Sequence, residues 1–209
     1  MDIQFHGANC VTFSVAGVRV VVDDNLTELG VKPVLKAGDV ALFTGPHAGV
    51  KVEAKLVVDG PGEFEVAEVS IQGIPARAHV DEEGQRAATM YKVTAKDMSV
   101  LVLGHIYPEM SDNQLERIGM VDVLVTPVGG NGYTLDPVGA LSVIKKIEPK
   151  LVIPTHYADK ALQYPVPQQS LEDALNGLAM EPQQTTVKLR LKPTELPVDG
   201  MQLVVIEKS

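Results

Sequence analysis

Apolar residues in the first half of the chain fall into short runs that predict β-strands. In the segment VTFSVAGVRVVVDD (residues 11–24), two runs flank Ala16-Gly17, and Lys96-Asp97 separates two later runs in the same way. TFSV and YKVT alternate apolar and polar residues, which indicates strands with one buried face. VLVLG, DVLVTPV and LVIPT are almost continuously apolar, as in strands buried on both faces when helices cover a sheet. The first half is therefore expected to be rich in sheet.

Three segments of the second half carry apolar residues at helical spacing: SDNQLERIG (residues 111–119), LDPVGALSVIKKIEP (135–149) and SLEDALNGLAM (170–180). Each begins with a residue suited to an N-cap, namely Ser111 or Asp112, Asp136 ahead of Pro137, and Ser170. The remaining tail predicts two strands about a Pro-rich turn. Strands first, then alternating strands and helices, then a closing strand pair predict an α/β fold in a single domain, residues 1–209.

Composition and charge narrow the classes of partner. The 209 residues suffice for a sizeable core, and 18 Lys and Arg against 27 Asp and Glu give a formal net charge of −9. This balance argues against nucleic acid or anionic lipid as a partner.

Segments that would direct the chain to a membrane or out of the cell are not predicted. The sequence has no run of about 18 apolar residues that would predict a membrane span, and residues 1–10 lack the basic and apolar regions of a signal peptide. The lone Cys10 excludes an internal disulfide and a Cys-rich zinc site. We expect an acidic, soluble, cytoplasmic protein.

Three of the five histidines follow the ends of apolar strands. His47 comes after VALFT, His105 after VLVLG and His156 after LVIPT, while His79 lies in a loop rich in carboxylates. Ligand sites assemble at strand ends in sheets covered by helices. Imidazole is a common zinc ligand, and three imidazoles with a water make a catalytic zinc site. The same placement also suits hydrogen-bonded loop histidines, so the pattern leaves both interpretations open.

Several motifs together resemble the metallo-β-lactamase superfamily, in the compact branch of zinc-dependent hydrolases related to ascorbate-lactone hydrolases. QFHGANCVTFSV is similar to its opening strand, RVVVDDN to the strand that ends in aspartate, and VALFTGPHAGV stands where the T-H-x-H-x-D-H metal motif belongs. DGPGEFEVAEVSIQGIP is similar to a segment typical of this branch, and PKLVIPTHY to the last ligand strand. The resemblance covers nearly the whole chain. It implies a four-layer αββα sandwich with a metal site at one edge, between the two sheets.

The motif that defines the chemistry of that family is eroded here. Carried onto it, Gly45 replaces the first histidine, His47 keeps the second, and Gly49 and Val50 replace the aspartate and the last histidine. The bridging aspartate of the family is His105 in this chain. Two cations about 3.5–4 Å apart could not be held by such a set. The resemblance therefore predicts no dinuclear centre.

A single metal is the alternative that the resemblance leaves open. It implies metal ligation by His47, His79, His105 and His156, an all-imidazole set suited to one zinc. The glycine turn TPVGGNGY corresponds to a turn that lies near the site in the family, so the resemblance predicts that Asn131 and Tyr133 contact a ligand. Asp23 matches the aspartate that supports the family's site from behind.

Three interpretations follow. The first is a non-hydrolytic pseudoenzyme or binding protein with most metal ligands lost and no cofactor. The second is a mononuclear metal-dependent hydrolase of a small lactone, ester or phosphoester. The third is a metal-free enzyme in which His105 or His156 is the catalytic general base. The partner is a small molecule or another protein, and assembly into a homo-oligomer through a sheet edge or helix face is compatible with the fold.

Overall fold

Two β-sheets pack against each other in the computed structural model, which describes residues 1–47, 49 and 51–209. Val50, which stands at the last histidine of the metal motif, lies outside the described residues. The strands, in chain order, are β1 Asp2–Gly7, β2 Cys10–Val15, β3 Val18–Val22, β4 Val40–Leu42, β5 Leu56–Val58, β6 Gly62–Val66, β7 Val69–Ala76, β8 Ala88–Ala95, β9 Met98–Val102, β10 Val123–Pro127, β11 Leu151–Thr155, β12 Pro182–Thr186, β13 Leu189–Arg190 and β14 Gln202–Ile206. The helices are α1 Asp112–Ile118, α2 Pro137–Ile147 and α3 Leu171–Leu178, with 3₁₀ helices at Leu26–Leu29 and Pro193–Glu195.

The strand order brings the carboxyl ends of parallel strands together. The first sheet runs β13-β1-β2-β3-β4-β5 and the second β12-β14-β11-β10-β9-β8-β7-β6. Strands β3, β4 and β5 are parallel neighbours in the first sheet, as are β9, β10, β11 and β14 in the second. Loops that leave the ends of parallel strands share one edge, so residues after β3, β4, β9 and β11 can form a common site.

The main core lies between the sheets. Phe13 and Val20 of the first sheet and Tyr91 and Ile153 of the second are fully buried in it. A second cluster packs α1, α2 and α3 on the outer face of the second sheet. The continuous apolar runs are explained by this arrangement, since β9, β10 and β11 are buried along their whole length.

The outer face of the first sheet is covered differently. Val21 and Cys10 pack there against Leu26 of the 3₁₀ helix and Leu162 of a loop. Within residues 1–47, 49 and 51–209, the three α-helices all lie over the second sheet. The layered architecture expected from the resemblance is present, but the layer on the outer face of the first sheet consists of a 3₁₀ helix and loops.

The predicted caps are confirmed. Ser111 accepts a hydrogen bond from the N–H of Gln114, Asp136 from that of Gly139 and Ser170 from that of Asp173. Each caps a helix through the mechanism that makes short oxygen-bearing side chains favourable at this position.

One boundary is wrong. The opening segment was expected to be a single strand, but it is two antiparallel strands, because the chain turns at Ala8, which has a φ of 48°. This turn places the Ala8 carbonyl and the Asn9 side chain at the shared strand edge, where both are hydrogen-bonded. No helix in the described part of the chain has the length and apolar character needed to span a membrane.

Candidate functional site

A cavity of about 250 Å³ opens at the shared strand edge. It is lined by residues from the β1–β2 turn, from the segments after β3, β4, β9, β10 and β11, and from a loop near residue 164. The lining residues are Ala8, Asn9, Asp23, Asn25, Glu28, Leu29, Pro46, His105, Tyr133, His156, Gln163, Tyr164 and Pro165.

Two predicted site histidines meet in this cavity. The rings of His105 and His156 are edge to face, with centroids 4.6 Å apart and an interplanar angle of 87°. Tyr133 lies beside both, 4.9 Å from His105 and 5.9 Å from His156 between ring centroids. The parallel pairing of β9, β10 and β11 brings the two imidazoles together, because each follows the end of its strand.

His156 is held by its backbone and by Gln168. The residue has a φ of 54°, and its N–H donates to the Ala8 carbonyl at 2.8 Å. Its Nδ1 lies 3.1 Å from Oε1 of Gln168, whose Nε2 donates to the Val166 carbonyl at 2.9 Å. Since the Gln168 amide nitrogen is already directed to Val166, the amide oxygen is the atom that faces His156. Nδ1 therefore carries the proton, and Nε2 is the acceptor in the neutral ring.

Gly129 makes room for this contact. A Cβ at position 129 would lie 2.0 Å from the carbonyl oxygen of His156 and 2.1 Å from Oε1 of Gln168. The His156 carbonyl is backbone, so a side chain at position 129 would force the chain to shift as well as displacing the Gln168 amide. The sequence offered no indication of Gln168, which lies in a Pro-rich segment without a recognisable motif.

Both imidazoles are neutral near pH 7. Burial lowers the pKa of His105 to about 3, with smaller contributions from the charges of His156 and His79. Burial lowers the pKa of His156 to about 4, and the hydrogen bond to Gln168 opposes part of this shift. Nδ1 of His105 is buried without a hydrogen-bond partner. A base with so low a pKa accepts a proton poorly, because general-base efficiency rises with basicity up to the working pH.

Asp23 anchors the floor of the cavity through a buried network. Its Oδ1 accepts from the N–H of Thr44 at 2.7 Å and its Oδ2 from the Thr44 hydroxyl at 2.6 Å. Asn9 donates to Oδ2 at 3.3 Å and accepts from the Thr155 hydroxyl at 3.0 Å. Burial raises the pKa of Asp23 to about 6, although these hydrogen bonds lower it in part. Asp23 thus lines the cavity while its two oxygens are held by Thr44 and Asn9, and the position of Asn9 depends on the unexpected turn.

The other two predicted metal ligands face different surroundings. The ring of His47 stacks on Phe43, with centroids 3.7 Å apart and an interplanar angle of 8°. Its Nδ1 accepts from the N–H of Gly49, and its Nε2 lies 3.6 Å from a carboxylate oxygen of Asp59. His79 joins the His105 segment through its backbone N–H, which donates to the His105 carbonyl at 2.7 Å.

The two predicted ligand-contacting residues differ as well. Tyr133 lines the cavity. The pKa of its hydroxyl is raised mainly by burial, and to a smaller extent by the negative charges of Glu28 and Asp23. Asn131 is outside the lining and donates from Nδ2 to the Pro167 carbonyl. With a φ of 56°, Asn131 occupies a left-handed turn position that asparagine tolerates well. Its side chain thus fastens one loop to another.

The donor geometry does not fit a metal centre. Among residues 1–47, 49 and 51–209, no three His, Cys, Asp or Glu side chains are arranged to hold a metal ion. A catalytic zinc needs three protein ligands and an open position. Of the four histidines that the sequence suggested, His105 and His156 form a facing pair and the ring of His47 stacks on Phe43. The ring of His79 lies 5.8 Å from that of Tyr107, and its Nδ1 is buried without a hydrogen-bond partner. The set is not assembled in this structure.

Comparisons with known proteins agree on the family. Residues 2–156 match the family described as the beta-lactamase superfamily domain. A protein of Bacillus cereus strain AH187 named a UPF0173 metal-dependent hydrolase is 26% identical over 198 residues, covering 75% of this chain and 86% of that protein. A crystal structure of a protein from Thermotoga maritima, assigned to the Zn-dependent hydrolases of the metallo-beta-lactamase superfamily, is 25% identical with a TM-score of 0.76. The alignment covers 99% of this chain and 98% of that one.

A more distant structure supports the fold alone. The metallo-beta-lactamase fold protein YhfI from Bacillus subtilis is 12% identical, with a TM-score of 0.61 over 100% of this chain and 97% of that one. The expected architecture is confirmed by these likenesses and by the two packed sheets. The family match covers well over half of the chain, and the chain therefore belongs to the beta-lactamase superfamily and has the metallo-β-lactamase fold.

Proposed function

We propose that this protein is a non-hydrolytic member of its superfamily that binds a small molecule in the cavity around His105 and His156. The observation that carries the proposal is the donor geometry: two imidazoles face each other, and no third His, Cys, Asp or Glu among the described residues completes a metal site with them. A pair of ligands falls short of the three that a catalytic zinc requires.

The basicity of the pair supports the same proposal. With pKa values of about 3 and about 4, His105 and His156 are weak general bases near neutral pH. Neutral imidazoles in a partly enclosed cavity are instead well suited to hydrogen bonding with a bound ligand. A metal-free hydrolase that uses either ring as its base is therefore disfavoured. Cytoplasmic location and self-association are further expectations that accompany this proposal.

A mononuclear hydrolase is the second candidate, with a small lactone, ester or phosphoester as its substrate. Two observations favour it. The relatives described above are named as metal-dependent or Zn-dependent hydrolases. Nδ1 of His105 is also buried without a partner, which is unusual for a polar atom and would be relieved by a ligand. Its metal would need His47, His79, His105 and His156 to converge from their present positions.

Metal content distinguishes the two candidates. Untagged protein is dialysed against zinc or manganese and desalted, and the bound metal is measured by mass spectrometry. The same is done for the His105→Ala/His156→Ala variant and for His6→Ala. His6 is the matched control, because its ring bonds to Thr12 and Ser209 and does not line the cavity. Circular dichroism establishes that each variant is folded.

The non-hydrolytic proposal predicts far less than one metal per chain, with the same residual content in all three proteins. About one metal per chain, lost in His105→Ala/His156→Ala and retained in His6→Ala, would contradict it. That result would favour the mononuclear hydrolase and justify a screen of lactones and esters.

A further inference from the structure

Strand β12 forms one outer edge of the second sheet, where β14 is its neighbour in the described part of the chain. Its register with β14 shifts between Pro182 and Gln184 and is regular from there to Thr186. The Thr186 carbonyl accepts from the N–H of Glu207 at 2.8 Å and is thus directed to β14. Because successive strand residues direct their backbone groups to opposite sides, the N–H and C=O of Thr185 point away from β14. Such an edge can hydrogen-bond a further strand.

The other sheet edges are better protected against such pairing. The outermost strand β6 carries the exposed Glu63 and Glu65, while β5 has three residues and β13 has two. Short edge strands and charged side chains are devices by which sheets avoid pairing with other chains. β12 has five residues without a charge, and the first four of them are exposed. Of the four edges that the described strands form, β12 is therefore the one best suited to accept a strand.

Opposite charges flank the two ends of β12. Glu181 directly precedes the strand, and Lys188 and Arg190 follow it. Lys188 pairs with Asp2 but keeps 34% of its side chain exposed, and the Arg190 side chain is 78% exposed. An antiparallel pair of two β12 strands sets the acidic end of each against the basic end of the other, whereas a parallel pair would set like charges together. The strand is thus complementary to itself about a two-fold axis.

An apolar groove and an exposed valine lie at the same two ends. The groove runs between α3 and the start of β12, and its apolar lining residues are Leu171, Leu175, Ala179, Met180 and Pro182. Val187, directly after the strand, is 59% exposed. Antiparallel pairing centred near Gln184 brings Val187 of one copy beside the groove of the other. Both apolar surfaces are then removed from water, which favours association.

We propose that two copies of this chain associate through β12, as an antiparallel pair of edge strands that joins their second sheets into one. A second copy fits this surface because its own β12 supplies the uncharged strand, the opposite charges and the valine. The groove and the histidine cavity have no lining residue in common, so the proposal is independent of the ligand and of the metal content of that cavity. The contact is small, and a dissociation constant on the order of 10–100 μM is expected.

Sedimentation equilibrium of the full chain up to about 500 μM measures the association. Thr185→Pro removes the N–H that points to the open edge, and proline is tolerated in an edge strand where the N–H faces solvent. This variant is expected to dimerise roughly tenfold more weakly, because each copy loses a hydrogen bond to the other. Thr185→Val keeps the N–H and is the matched control, with an expected dissociation constant equal to that of the unmodified protein. Circular dichroism establishes that each variant is folded.

A charge variant tests the pairing direction and does not depend on proline. Glu181→Lys sets like charges together at both ends of an antiparallel pair, and it is expected to weaken association roughly fivefold at low salt. Glu63→Lys makes the same change on the exposed edge of β6 and is expected to have no effect.

Dimers weakened by Thr185→Pro and Glu181→Lys, but not by their controls, would support the proposal. A protein that stays monomeric at about 500 μM would overturn it. A dimer that Glu181→Lys and a folded Thr185→Pro variant both leave unchanged would overturn it as well, because another surface would then join the two copies.

Discussion

The amide oxygen of Gln168 lies 3.1 Å from Nδ1 of His156 and fixes which ring nitrogen faces the cavity. The contact joins the end of β11 to a loop that follows it, and the Gln168 amide is itself oriented by the Val166 carbonyl. One buried imidazole thus has a defined tautomer without a metal or a carboxylate.

Replacing Gln168 with leucine is expected to lower the pKa of His156 below its present value of about 4. The hydrogen bond to Gln168 raises this pKa, because an Nδ1–H donor is stabilised further when the ring is protonated. NMR titration of the His156 ring measures the shift, and the signal of His6 supplies the control. An unchanged pKa and an unchanged nitrogen spectrum would show that Gln168 does not set the tautomer.

Gly129→Ala is expected to destabilise the protein by about 3 kcal/mol, since the new methyl group would overlap the His156 carbonyl and the Gln168 amide. Gly60→Ala is the matched control, because no heavy atom lies within 4 Å of its Cβ position. Its effect is expected to stay within about 1 kcal/mol. Urea unfolding of the three proteins gives both values, and equal effects of the two substitutions would contradict the close approach at Gly129.

Stability is expected to rise with pH between about 4 and about 6.5. The pKa values of His105 and His156 are depressed below the unfolded value of 6.5, so the unfolded chain binds more protons, and stability is lost as the pH falls through this window. Asp23 acts in the opposite direction. Its pKa is raised from 3.8 to about 6, so the folded protein binds this proton more tightly than the unfolded chain does. The stability that this proton gives is lost as the pH rises from about 4 toward 6.

The effect of the two histidines exceeds the opposite effect of the one aspartate. The unfolding free energy is therefore expected to rise with pH by on the order of 1 kcal/mol per pH unit. His6, whose pKa is lowered to about 4 by burial, adds to it in the same direction. Urea unfolding at half-unit steps from pH 4.5 to 7.5 measures the slope. Asp23→Asn is expected to steepen it, because the opposing group is removed. A curve that is flat or falls with rising pH would contradict the buried neutral state of the two rings.

Asn9→Ala is expected to cost about 1–3 kcal/mol of unfolding free energy and to raise the pKa of Asp23 further. The substitution removes a donor from the buried carboxylate and leaves the Thr155 hydroxyl without its acceptor. Thr155→Val removes only the second of these bonds. A double-mutant cycle with both variants is therefore expected to show coupling, and purely additive effects would mean that the network does not act as a unit.

Most of the secondary structure was determined by the sequence itself. Caps at Ser111, Asp136 and Ser170, the turns at Ala16-Gly17 and Lys96-Asp97, and the buried strands β9, β10 and β11 all depend on neighbouring residues. Such local preferences are readable along the chain because they need no distant partner. The placement of histidines after strand ends is visible for the same reason.

The site depended on contacts between residues far apart in the chain. Parallel pairing of β9, β10 and β11 brings His105 against His156, while stacking on Phe43 holds the ring of His47. The turn at Ala8 places Asn9 beside Asp23, and Gln168 reaches His156 from a loop without a recognisable motif. Sequence pattern specifies which residues are available at an edge. Only tertiary packing decides which of them meet, because it sets the distance and orientation of each pair.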